Sequence, residues 1–208
     1  MKGQIVCIGG IHGAGKSTVC HALSERFGWP VVKQRRLLIQ IGEENGLQWS
    51  DVARQYDMYL DRTADRMIVL LQKSESGVLL IDCHYAIPSA AAVRKNKIGK
   101  EFVQNLDWRL VERLSGQCRC RFVHLRVRPD VALSRITDRP DAEHYTNTLE
   151  HFIGEASAEL DMFNSLLAHL CVGSDDWLCH NALCVEHTML EVARFVSPAL
   201  EVSIEDHP

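Results

Sequence analysis

The segment Gly10-Ile-His-Gly-Ala-Gly-Lys16-Ser17-Thr18 constrains this chain more than any other. It fits the phosphate-binding pattern G-x-x-x-x-G-K-[ST], with the apolar run Ile5-Val6-Cys7-Ile8 leading in and a helical pattern leading out. Glycines at 10, 13 and 15 let the backbone turn tightly around an anion, with the loop N–H groups pointing inward. The helix that follows adds its positive N-terminal end. In such a loop Gly10, His12, Gly13, Ala14, Gly15, Lys16, Ser17 and Thr18 surround the phosphates. Lys16 reaches the β- and γ-phosphates and the Ser17 hydroxyl ligates Mg²⁺, so ATP and Mg²⁺ are the expected cofactors.

At 208 residues the chain suits one domain, read here as 1–197 with a loosely specified tail over 198–208. A hydrophobic content of 46% supplies a sizeable core. A net charge of −4 gives no support for nucleic-acid binding. No apolar run approaches the ~20 residues that span a bilayer, so no membrane contact is expected. The chain enters its first strand directly, which leads to the expectation of no signal peptide and a cytoplasmic protein, monomeric or homodimeric. The eight cysteines form no C-x-x-C pair and read as reduced, mostly buried thiols. Cys179, His180, Cys184 and His187 match no standard zinc spacing.

Strand and helix patterns alternate, which predicts an α/β fold with a mainly parallel sheet covered on both faces. Strands are expected at about 4–9, 31–32, 78–81, 122–127 and 177–180, and Val78-Leu79-Leu80-Ile81 is apolar enough to be buried on both sides. Helices are expected at about 16–27, 35–44, 50–72 (capped by Ser50), 100–115, 129–138, 141–170 and 186–195.

Three further groups carry chemistry. Asp82 ends the apolar strand and would face the phosphate loop, holding the Mg²⁺ shell or orienting the nucleophile, with His84 beside it. Arg135 and Arg139 follow the fourth strand at helical spacing, and guanidinium groups suit the charge that develops on a transferring phosphoryl group. Arg126 and Arg128 alternate on that strand and could face the same site. The run Lys33-Gln34-Arg35-Arg36, which Arg54, Gln55 and Arg62 could join, suits an anionic acceptor at the carboxyl ends of the strands. Residues 84–100, with Tyr85, Arg94, Lys95, Lys97 and Lys100, read either as an acceptor loop or as a surface loop.

The order G-x-x-G-x-G-K-S-T, D-x-H after an apolar strand, then R-P-D-V-A-L-S-R-I-x-D-R resembles the P-loop nucleoside monophosphate kinases, closest to the small archaeal-type adenylate kinases and their broader bacterial relatives. The resemblance covers roughly residues 4–195. It implies a P-loop NTPase fold with a five-stranded parallel sheet, an acceptor-binding region at about 33–72 and a short lid at about 128–141. It also implies that the base of ATP packs near Asn181-Ala182. His12 departs from the family, which carries a small or apolar residue or proline there, and no base-reading signature marks the acceptor region. The expected activity is transfer of the γ-phosphoryl group of Mg-ATP to a small acceptor, first a nucleoside monophosphate. A sugar, acid or antibiotic is the alternative, and an acceptor-free ATPase a third reading. Asn96-Lys97-Ile98-Gly99 lacks the aspartate of the guanine-reading N-K-x-D motif, which argues against a GTPase switch.

Overall fold

The structure is a computed structural model, and its described residues are 3–88, 102–138, 148–182 and 184–198, without the side chains of 49, 50 and 53. Five parallel strands form the central sheet in the order β2-β3-β1-β6-β7: β1 (Gln4–Gly9), β2 (Val31–Lys33), β3 (Val78–Asp82), β6 (Arg119–Arg126) and β7 (Trp177–Asn181). The expected doubly covered parallel sheet is therefore present. Every residue of β3 is buried, which its unbroken apolar run requires of a strand covered on both faces.

Alternate residues of the central strands feed two cores. Ile5, Cys7, Leu79, Ile81 and Phe122 face one, covered by α2 (Gln34–Glu44), α4 (Tyr56–Lys73), α5 (Trp108–Ser115) and α7 (Leu149–His169). Val6, Ile8, Leu80, Val123 and Leu125 face the other, covered by α1 (Lys16–Phe27), α6 (Pro129–Thr137) and α8 (Val185–Val196). No helix among the described residues is long and apolar enough to cross a membrane.

The differences from the sequence reading are local. The helix expected over 50–72 is two: α3 (Trp49–Arg54), capped by Gln48 and Asp51 rather than by Ser50, and then α4. Val52 lies just before the break. It is fully buried, and a Cβ on Gly42 would stand 2.3 Å from its methyl group, so α3 is packed closely on α2 before the chain leaves helical conformation at Gln55 (φ −110°, ψ 29°). The helix expected at 100–115 begins only at Trp108, where the Asp107 carboxylate accepts from the Arg109 N–H. Before it, β5 (Phe102–Gln104) pairs antiparallel with β4 (Ala86–Pro88) in a small second sheet. Thr148 caps α7, so the expected start at 141 lies outside the described residues. Five of the cysteines are buried, whereas Cys171 and Cys184 are exposed and Cys179 is intermediate.

Tyr85 fixes how closely the chain after β3 approaches the sheet. Its hydroxyl lies 3.1 Å from the Cys7 carbonyl and 3.0 Å from that of Val123, and its ring packs on Gly9, where an added Cβ would stand 2.3 Å from a ring carbon. Gly9→Ala is therefore expected to cost about 1–3 kcal/mol of stability. Gly173→Ala, where an added Cβ meets nothing within 4 Å, is expected to stay within about 0.5 kcal/mol of the parent. Urea unfolding of the two variants checks this; equal stabilities would remove the Tyr85 contact as a constraint.

Candidate active site

The phosphate-binding loop turns between β1 and α1 at the top of the sheet. Gly13 has φ +78°, and a Cβ there would stand 2.6 Å from the Ala132 carbonyl, so the loop is seated against α6 as well as wound in a conformation that glycine favours. The Lys16 ammonium arches back over the loop, donating to the Gly10 carbonyl at 2.6 Å and the Ile11 carbonyl at 2.8 Å. Burial pulls its pKa down, while the carboxylates of Glu159, Glu155 and Asp82 oppose that shift.

Asp82 ends β3 level with Ile8 of β1 and Lys33 of β2. Its carboxylate accepts a 2.6 Å hydrogen bond from the Ser17 hydroxyl and lies 3.6 Å from the Lys33 ammonium. The two expected metal ligands, Ser17 and Asp82, are thus brought together, and a hydroxyl beside a carboxylate is an oxygen pair suited to Mg²⁺. Thr18 follows, exposed in the first turn of α1.

Arg135 of α6 donates to the Gly13 carbonyl at 3.2 Å, so this arginine reaches the loop. Beside it a cavity of about 640 Å³ opens between the end of β6, α6 and α7, lined among others by Ile11, Arg126, Arg135, Asn181 and Ala182. Its volume falls in the range of about 300–1,000 Å³ usual for small-ligand sites. Arg128 lines the same cavity and holds Asp130 in an ion pair. Arg139 lies outside the described residues, as does most of the segment from 84 to 100.

The acceptor corner assembles only in part. Lys33 ends β2, and Arg35 and Arg36 are exposed in the first turn of α2. Arg62 is not among them. It donates to the Asn45 side chain just past the far end of the 11-residue α2, about 16 Å along the helix axis. Arg62 thus stands at the opposite end of α2 from Lys33, Arg35 and Arg36. Arg54 likewise pairs locally, with Asp51.

The structure adds two residues that the sequence reading passed over. Glu155 and Glu159, one turn apart on α7, are both fully buried. Glu155 accepts from the His12 backbone N–H at 3.0 Å and meets the His12 ring Nδ1 at 2.5 Å. Glu159 meets His84 Nδ1 at 3.0 Å and accepts from the Tyr85 N–H at 2.8 Å. The two rings lie against each other, centroids 4.3 Å apart. Burial pushes His84 well below the ordinary histidine range, helped by Lys16 and His12, so its imidazole is neutral. Burial raises Glu155, but its bonds to His12 and the nearby Lys16 outweigh that and hold it low; Glu159 is pushed up to about 8, chiefly by burial. A legible signal existed: Phe152, Glu155, Glu159, Phe163 and Leu166 form one helical stripe, and carboxylates on a core stripe need partners.

Comparison with known proteins follows this geometry. The family model AAA_18, described as an AAA domain, matches residues 6–156. No curated protein matches the chain. Among solved structures, a shikimate kinase from Bacteroides thetaiotaomicron superposes with a TM-score of 0.52 at 14% identity, covering 92% of this chain and 97% of that one. A sugar kinase from Janibacter sp. HTCC2649 superposes with a TM-score of 0.52 at 14% identity, covering 98% of this chain and 100% of that one. At such identities the likeness is one of fold.

Glu159 gives the site a pH signature. Its native pKa of about 8 lies above the ordinary carboxylate value, so the folded protein keeps a proton that the unfolded chain has released. The stability this proton contributes is complete at acid pH and lost as pH rises through the native value. Glu159→Gln is expected to flatten the decline in unfolding free energy between about pH 5 and about pH 8.5. Urea unfolding at both pH values checks it, and an unchanged slope would mean that native Glu159 is already ionised.

Proposed function

Since the chain belongs to the AAA_18 family of AAA domains, with the phosphate-binding loop inside the matched region, we propose that it transfers the γ-phosphoryl group of ATP to a hydroxyl of a small polar metabolite. The observation that carries this reading is the Ser17–Asp82 hydrogen bond across the top of the sheet, with Lys16 and Arg135 converging on the same loop. Magnesium held by Ser17 and Asp82 would neutralise charge on the phosphates.

The chain's own groups do the rest. Lys16 turns from the loop carbonyls to span the β- and γ-phosphates, and Arg135 offers a planar guanidinium to the γ-oxygens. The cavity that includes Asn181 and Ala182 takes the base of ATP. Lys33, Arg35 and Arg36 draw a negatively charged acceptor, and Asp82 or the neutral His84 orients its hydroxyl. The lid expected at about 128–141, which carries Arg135, excludes water on closing.

A small acceptor is favoured over a nucleoside monophosphate by the reduced corner, from which Arg62 is absent. It is also supported by the likeness to a shikimate kinase and a sugar kinase.

Lys16→Ala is expected to lower transfer by about 10²-fold or more with the fold intact, as checked by ADP release and circular dichroism. Arg135→Ala is expected to lower kcat more than ATP affinity. A panel of hydroxy acids, sugars and nucleoside monophosphates in a coupled ADP assay tests the acceptor. Acceleration by a hydroxy acid or sugar is expected. A response to nucleoside monophosphates alone would move the chain to the nucleotide kinases, and turnover that no acceptor accelerates would make it an ATPase.

A further inference from the structure

The paired histidines and glutamates do more than proton sharing requires. One ring nitrogen each of His12 and His84 and one Glu155 oxygen all lie within 4.8 Å of one another. His84 Nδ1 is 4.0 Å from Glu155 Oε1, and His12 Nδ1 is 2.5 Å from the same oxygen. Among the described residues the second oxygen of Glu155, itself buried, has no hydrogen-bond partner. His151 Nε2 stands 3.9 Å away, outside hydrogen-bond reach. A fully buried carboxylate with two imidazole nitrogens within 4.0 Å of one of its oxygens is a donor set that a cation can join.

We propose that His12, His84 and Glu155 form a transition-metal site of the Zn²⁺ class, separate from the Ser17–Asp82 oxygen pair that suits Mg²⁺. Two imidazoles and one carboxylate are the nitrogen-rich set that Zn²⁺ takes and that Mg²⁺, with its preference for oxygen, does not. Ligand atoms of a tetrahedral zinc ion stand about 3.3 Å apart when its bonds are about 2.0–2.1 Å long. The 2.5 Å contact would open and the 4.0 Å one close, each by less than about an ångström, which side-chain rotation supplies. Glu159 meets that same His84 nitrogen at 3.0 Å, so binding of the ion would exchange this hydrogen bond for a metal bond. Three protein ligands leave one position for water or a substrate oxygen. Because His12 belongs to the phosphate-binding loop, the ion would tie that loop to α7. None of this depends on the acceptor's identity or on transfer itself.

The test uses the full chain, stripped with a chelator and free of nucleotide, titrated with Zn²⁺ by calorimetry and with Co²⁺ by visible absorption. One ion per chain is expected, with the intense d–d bands of a four-coordinate Co²⁺ site. His12→Ala and His84→Ala, both at partly exposed positions, should each weaken Zn²⁺ binding by about tenfold or more, while Ser17→Ala should leave it unchanged. Thermal unfolding verifies that each variant folds. Absence of a saturable site would overturn the proposal. So would binding that survives in the His12→Ala/His84→Ala double variant, which would place the ion elsewhere, for example near Cys184 and His187. Loss of binding in Ser17→Ala would also overturn it, by placing the ion at the Mg²⁺ pair.

Discussion

Parallel pairing of β1 with β3 sets Asp82 level with Ile8, one residue before β1 ends and the phosphate-binding loop begins. A shift of one residue in that register would turn Asp82 to the opposite face of the sheet and away from Ser17. The site rests on this pairing, because the loop, the carboxylate and the Lys33 ammonium all sit at the carboxyl ends of neighbouring strands. Buried apolar residues on both faces of β1 and β3 hold the register.

A second constraint comes from beneath the loop. Two fully buried carboxylates on one helix are costly unless each finds partners, and Glu155 and Glu159 find them in the loop histidine, the strand-end histidine and the Tyr85 amide. Their surroundings push them apart in acidity: His12 keeps Glu155 ionised, whereas burial leaves Glu159 protonated near neutrality. The net effect is a polar joint between the loop, the chain after β3 and α7, set in an otherwise apolar interior. His12, the one residue of the loop that departs from the resembling family, has its structural role here.

Much of the molecule was legible because its signals are local. The loop glycines, the all-apolar β3 and the Pro129–Asp130 helix start each follow from a short run of sequence, and the strands and helices they define are present. The misread stretches are those where packing outweighs local preference. Val52 packs against Gly42 just before the interruption at Gln55 in a helix whose periodicity is continuous, and the antiparallel β4–β5 pair uses two three-residue strands too short to show alternation. The position of Arg62 against Asn45 was not legible for a similar reason. Helical spacing says which face a residue is on, not which end of a neighbouring helix that face meets.

By itself the sequence determined that a triphosphate-binding loop stands between a buried strand and a helix, and that an acidic residue ends another buried strand. Those features need only neighbouring residues and the periods of strand and helix. Only the tertiary structure decided that Asp82 meets Ser17, that Arg135 and not Arg62 comes to the site, and that His12 and His84 close on Glu155 and Glu159. These contacts join residues up to 143 positions apart, and strand order and helix packing alone bring such distant groups within hydrogen-bond reach.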